Sequence, residues 1–370
     1  MWGRQQLDVG RPSLGRPFGW LWAAYGASAM GTRLAFGAFP FIAIHVLHSG
    51  ASAVAVLAAA GTAVGAVVAV PLGPWVEFRR KRPVMIGMDL LRCAALLSIP
   101  AAYALGWLGF GQLLAVSVVV AAADITFGAA SGAYLKSLLP PEQLLAANAR
   151  FESTTWTTTV LGPPLGGAAV ALLGPVATVV ADAVSYLLSA LGIRAIGGRE
   201  PQPPRGGSAR LRAGDLLDGW RFVLADPGLR PLFLNTVLVN ALVMATEPVL
   251  AVLLLGRLGF GPWQYGLTFA VPCLGGLIGS RLSGPLVARH GRRRVLLVSG
   301  TLRASCLPGL VLVGPGVPGM LLVMGVEFGM ILCIGVFNPV YSASRLQRVA
   351  PDRAARVLSA WSVFSWNLLA

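Results

Sequence analysis

The chain has 370 residues, 56% hydrophobic and 12% charged, about half the charged share of a typical soluble domain, which excludes an ordinary soluble enzyme. A mean hydropathy of +0.73 over this length requires apolar segments along nearly the whole chain rather than one anchor. The 29 Lys and Arg against 14 Asp and Glu give +15, but the basic residues fall in alternate loops between apolar runs, a distribution that points to membrane topology and anionic lipid, not to nucleic acid.

A membrane-spanning helix needs ~20 mostly apolar residues. Ten runs meet that requirement: 18–44, 53–76, 84–105, 112–137, 151–173, 175–197, 230–256, 263–287, 295–314 and 318–344. An eleventh begins near Ala355 and is cut off at Ala370. The first run is too long for a cleaved signal peptide and no small-residue cleavage site follows it. The pattern predicts an all-α polytopic membrane protein with about ten full helices and a partial eleventh, incomplete at its C-terminal end.

With basic residues at run ends assigned to the adjoining loops, successive Lys and Arg counts are 3, 0, 4, 0, 2, 0, 7, 1, 4, 0 and 4. This alternation predicts a cytoplasmic N-terminus, with the loops 77–83, 198–229 and 288–294 on the same side. The one long connection, 198–229, is rich in Pro, Gly and Arg and then amphipathic around Leu216, Leu217, Trp220 and Phe222, a pattern suited to a membrane surface. It divides the chain into a bundle over 1–197, a linker, and a second bundle over 230–370.

The two parts repeat each other. A shift of 211 residues places Gly73, Pro74, Val76, Lys81, Arg82, Val84 and Arg92 on Gly284, Pro285, Val287, Arg292, Arg293, Val295 and Arg303, and a shift of 210 places Pro141 and Glu142 on Pro351 and Asp352. Between the second and third runs stands GPWVEFRRKRPVM followed by DLLR; the second copy reads GPLVARHGRRRVL, with Ala288 where the first has Glu77. The fifth run carries Gly162-Pro163-Pro164-Leu165-Gly166-Gly167. Together with the PEQLLAAN and AGDLLDGWRFVLADPGLRPL stretches, these residues resemble the major facilitator superfamily, and within it the macrolide, siderophore and drug exporters.

The resemblance implies two six-helix halves that rock about a central site near the bilayer midplane. It implies efflux of an amphipathic small molecule in exchange for protons, a cell-membrane location, a monomer, no cofactor and an association with antibiotic resistance. Gly73, Glu77, Asp89 and Arg92 then form a candidate gate at the cytoplasmic mouth, and Gly162, Pro163, Gly166 and Gly167 an antiporter-like packing motif. Arg33, Asp124, Glu247 and Glu327 are ionisable groups inside apolar runs, where charge is costly and faces a cavity or a partner. In the resembled fold the helices that carry these four line the central cavity. One cation and three acids there form a candidate site for substrate and proton coupling, with Asp124 first and Arg33 able to neutralise only one acid. Asp182 is expected to be structural, and Trp22, Tyr25, Phe36, Phe39 and Trp156 are candidate contacts for a greasy substrate.

No catalytic arrangement is legible. His45, His48 and His290 lie at run ends away from any nucleophile, with no third ligand for a metal, and the four cysteines sit in apolar runs without paired spacing. Two alternatives stay open: an importer of the same superfamily, and a non-transporting membrane fragment, because the chain stops inside its eleventh run.

Overall fold

The computed structural model describes residues 14–35, 38–48, 50, 78–198, 200, 221–251 and 271–349, with scattered positions in 53–76 and 253–270. The described residues contain helices and no strand. We label the helices α1 Gly15–Leu34, α2 Ala38–Phe41 with its π turn Ile42–Val46, α3 Lys81–Ala104, α4 Phe110–Leu138 and α5 Leu144–Leu173. There follow α6 Pro175–Arg194, α7 Arg230–Ala251, α8 Cys273–His290, α9 Arg292–Ser305 and α10 Gly316–Arg348. Among the described residues, six segments are long and apolar enough to cross a bilayer: α3, α4, α5, α6, α9 with the 3₁₀ turn after it, and α10.

Two runs depart from single continuous helices. The first run is interrupted after Leu34, where the Ala35 amide bonds back to Gly31, and helix resumes at Ala38. The ninth ends as α-helix at Ser305 and continues as the 3₁₀ turn Leu307–Leu312. Pro308 accounts for the change, since it has no amide hydrogen and disfavours helical geometry in the residue before it. Most of the second run, and the partial eleventh, lie outside the described residues.

Within the chain's first part, α3 packs on α4 and α6, and α1 on α5 and α6; in the second, α10 packs on α8 and α9. Contact between the two groups runs through α5 against α8 and α10, with a smaller contact of α4 on α10. The distribution of apolar cores shows which end of the molecule is shut. At the end bearing the basic loops, one buried cluster draws on both groups: Tyr134, Leu135, Leu139 and Leu144 belong to it, and so do Phe337, Val340, Tyr341 and Leu346. Toward the opposite end the cores are separate among the described residues, one built on Ile42, Leu96, Ile99, Leu113 and Val179, the other on Leu250, Leu254, Leu310 and Val323.

Polar bonds reinforce the shared end. The Lys136 ammonium at the foot of α4 donates to the Leu346 and Val349 carbonyls at the C-terminus of α10, where the helix dipole favours a cation. Gln347 donates to the Pro141 carbonyl at 2.5 Å and accepts from Arg292, and Arg348 pairs with Asp226 at 3.5 Å. The basic loop also has a structural task beyond topology. Arg82 donates to the carbonyls of Ile196 and Gly198 beyond α6, and the Glu200 carboxylate accepts the first amides of α3, from Lys81 and Arg82. An acid at a helix N-terminus offsets both the orphan donors and the dipole. Gly73 and Glu77, expected in this gate, lie outside the described residues.

The antiporter-like motif acts through close approach. A Cβ at Gly162 would stand 2.3 Å from the Arg33 Cβ, and one at Gly166 would stand 2.4 Å from the Leu34 carbonyl oxygen, whereas Gly167 faces open space. Two glycines one turn apart therefore let α5 touch the α1 backbone where α1 ends. Gly166→Val is expected to lower the melting temperature of the detergent-purified protein, by an overpacking penalty of ~1–3 kcal/mol. Gly167→Ala should leave that temperature unchanged or slightly raised, and equal behaviour of the two variants would disprove this packing role.

Candidate functional site

Charge inside the bundle is concentrated on Arg92, the twelfth residue of α3, whose side chain is 2% exposed. Its guanidinium donates to Asp89 one turn earlier and, at 2.5 Å, to Asp124 on α4. The spacing of three places Asp89 and Arg92 on one face of α3, and α4 passes that face. Two aromatic rings complete the enclosure, Tyr186 of α6 at 4.1 Å and Phe127 of α4 at 4.8 Å from the guanidinium carbon. Asp182, also buried, lies within electrostatic reach of Arg92 and Asp124 and accepts from Ser185 at 3.3 Å. Thr32 of α1 meets the Tyr186 hydroxyl at 2.8 Å, so the cluster gathers α1, α3, α4 and α6.

This arrangement joins two sets that the sequence kept apart. Asp89 and Arg92 were expected at the mouth beside Glu77. Arg92 instead lies about 17 Å along α3 from its basic end, at ~1.5 Å per residue, and there takes Asp124, the leading membrane-embedded acid, as its partner. Arg33, expected to neutralise one acid, makes no hydrogen bond or ion pair among the described residues; it lines a cavity of about 520 Å³ between α1 and α5 with Leu34, Phe41, Pro163, Gly166 and Val170. Arg33 and Glu327 both lie within electrostatic reach of Cys273 at the start of α8. The Glu247 side chain and Phe36 lie outside the described residues.

The internal repeat has a second buried arginine with different surroundings. Arg303, 1% exposed, donates to Asn235 at 2.6 Å and to Thr236 at 3.4 Å, and stands 3.7 Å over the Phe337 ring. Phe337 is the repeat of Phe127 at a shift of 210, but Asp89 and Asp124 correspond to Gly300 and Ile334. The cation-on-aromatic frame is duplicated, and the carboxylates occur only in the first copy.

One acid was missed by the sequence reading. Glu152, near the start of α5, accepts from Trp156 Nε1 at 3.0 Å and from Asn338 Nδ2 of α10 at 2.9 Å, both on Oε1. It stands at the second position of the fifth run and was not among the ionisable groups singled out there; α5 begins at Leu144, seven residues before that run, so Glu152 lies two turns inside the helix. Beside it Ser153 meets Ser280 of α8 at 2.7 Å, and Trp156 lies over Gly276, where a Cβ would be 2.2 Å from the indole. Of the candidate aromatic contacts, Trp22 donates to Thr154 at 2.8 Å and Tyr25 meets Thr155 at 2.7 Å, so both are bound to α5, while Phe39 packs in the core away from the basic end.

A buried arginine shared by two acids predicts a distinctive mutational pattern. Arg92→Met leaves the buried Asp89 carboxylate and the part-exposed Asp124 carboxylate without the Arg92 cation, a loss of ~3–5 kcal/mol for a broken buried pair, and should abolish the monodisperse peak in size-exclusion chromatography. Adding Asp89→Asn and Asp124→Asn to the same chain should restore that peak. A triple variant as poorly folded as the single one would show that Arg92 acts by packing alone.

The profile described as Major Facilitator Superfamily matches residues 21–370. The chain is 26% identical over 340 residues to the "Multidrug efflux pump Tap" of Mycolicibacterium fortuitum, covering 90% of this chain and 81% of that protein. Its fold is similar to a bacterial homologue of the iron transporter ferroportin solved in an outward-facing state, with TM-score 0.77 and 16% identity over 95% of this chain and 89% of that one. It is also similar to the E. coli fucose:proton symporter, with TM-score 0.72 and 12% identity over 97% and 91% of the two chains. The long apolar helices, the repeated cation frame and the match over nearly the whole length lead to one conclusion: the chain is a multi-pass membrane transporter, not an enzyme, and belongs to the major facilitator superfamily.

Proposed function

We propose that the chain exports amphipathic small molecules in exchange for protons, by rocking of its parts 1–197 and 230–370 about the central site. The export direction is supported by the likeness to multidrug efflux pumps over most of both lengths. Proton coupling is supported above all by the Asp89–Arg92–Asp124 cluster. One cation facing two carboxylates carries an excess negative charge, so Asp124 can gain or lose a proton while Arg92 always retains a partner. With Asp124 protonated the Asp89–Arg92 pair is neutral, and with Asp124 ionised the extra negative charge sits on a part-exposed carboxylate that still bonds Arg92, so a proton taken up there cancels the excess charge of the cluster. Arg33, Glu327 and Glu247 are assigned to the wall of the substrate path, where an ionisable side chain can meet a polar group on a greasy body.

The basic end is assigned to the cytoplasm by the positive-inside rule. A core shared there and divided at the other end corresponds to the outward-facing stage of alternating access, with Lys136 and Gln347 holding the cytoplasmic side shut. A cysteine at Ser49 is expected to react with an impermeant thiol reagent from outside the cell and one at Ser208 only from inside, on a background with the native cysteines replaced. The reverse pattern would invert the assignment.

Transport in inside-out vesicles decides the rest. Accumulation of a fluorescent amphipathic drug should require an imposed proton gradient and collapse with an uncoupler. Asp124→Asn should be inserted at the normal level yet show no gradient-driven accumulation. Full proton-driven transport by that variant would remove Asp124 from the coupling path, and accumulation that ignores the gradient would end the antiport reading.

A further inference from the structure

We infer that Glu152 is a binding site for lipophilic cations, built between α5 and α10. Among the acids described in the central region, Asp89 and Asp124 share the Arg92 guanidinium. Glu152 has no cation: it forms no ion pair with any described residue, and its two hydrogen bonds come from neutral donors, Trp156 and Asn338. Both bonds fall on Oε1. Oε2 accepts none among the described residues, so one carboxylate oxygen is held in place and the other has no hydrogen bond from them.

The surroundings match a particular ligand chemistry. Trp156 flanks the carboxylate and Phe151 precedes it on α5; Phe151 packs edge-on against Tyr25 at 5.0 Å, and the Tyr25 hydroxyl is within electrostatic reach of Glu152. Aromatic faces beside a fixed anion recognise a quaternary or protonated amine, or a phosphonium, carried on an apolar body, through charge pairing and cation–π attraction together. A carboxylate at this depth is costly without a counter-charge, and a bound cation supplies it. Glu152 lies about 12 Å along α5 from its basic end, at ~1.5 Å per residue. The Asn338 amide reaches it from the other helix group, so the ligand engages the carboxylate at the contact between α5 and α10.

The inference rests on the export reading only for the direction of transport, and its test is equilibrium binding without a gradient. Tetraphenylphosphonium binding to the detergent-purified full chain is compared with that of triphenylphosphine oxide, a neutral analogue. Glu152→Gln keeps an oxygen acceptor for Trp156 and Asn338 and removes only the charge. It should weaken tetraphenylphosphonium binding ~10- to 100-fold, with neutral-analogue binding and melting temperature unchanged; Glu142→Gln, on an exposed loop, should change neither ligand. Undiminished tetraphenylphosphonium binding in Glu152→Gln, equal weakening of both ligands, or no binding to the wild type would each overturn the inference. Normal binding with absent drug accumulation in vesicles would refute export and leave the cation site standing.

Discussion

A guanidinium cannot stay ionised inside a bilayer without partners, and the first helix group is arranged around that requirement. Arg92 is fully enclosed, so its charge has to be met within its own reach. Asp89 from the same helix and Asp124 from α4 meet it, while Tyr186 and Phe127 present ring faces. These contacts fix the mutual register of α3, α4 and α6 more tightly than greasy packing could, since apolar surfaces slide past one another at little cost and a buried ion pair does not. Thr32 extends the same network to α1 by bonding the tyrosine that covers the arginine.

The second helix group keeps the frame and drops the charge. Arg303 sits over Phe337 as Arg92 sits by Phe127, but its acceptors are Asn235 and Thr236. At the position equivalent to Asp89, Gly300 leaves room for the Phe337 ring, which would stand 3.2 Å from an added Cβ. Duplication thus preserved the shape that places a cation in the bundle, and the two copies diverged in the groups that titrate. Such divergence gives a pseudo-symmetric scaffold chemically different halves, with the arginine-bound carboxylates in one of them.

Small residues and polar bonds distribute the remaining contacts. Glycines of α5 admit the α1 backbone, and Gly276 of α8 admits the Trp156 indole. Contact between the helix groups is therefore mediated by side chains on α5 that also carry Glu152 and Ser153. At the basic end it becomes a continuous apolar core sealed by Lys136 on the α10 carbonyls. A seal of one lysine and a few amide bonds over an apolar patch can be broken and reformed, in contrast to the multiply bonded arginine cluster.

The apolar runs by themselves determined that this chain crosses a membrane and where most of its helices run, the matched residues of its two parts showed the repeat, and motif residues such as GPWVEFRRKRPVM carried the resemblance to a superfamily. Those properties depend on local apolar length and on near-neighbour spacing such as Asp89 to Arg92, both of which are read along the chain. Pairing across helices is set by which faces meet after folding, and spacing carries no trace of it. Arg33 was expected to neutralise one of Asp124, Glu247 and Glu327, yet the cation that meets Asp124 is Arg92 of α3. Glu200, not only the loop's own acid, was needed at the start of α3, and it arrives from more than a hundred residues away. Glu152, at the edge of the fifth apolar run, was not singled out, and only the packing of α10 against α5 gave it Asn338 as a donor and, among the described residues, no cation. Local sequence could specify which charges enter the bilayer, and the tertiary structure decided which of them are neutralised, because neutralisation depends on distance in space.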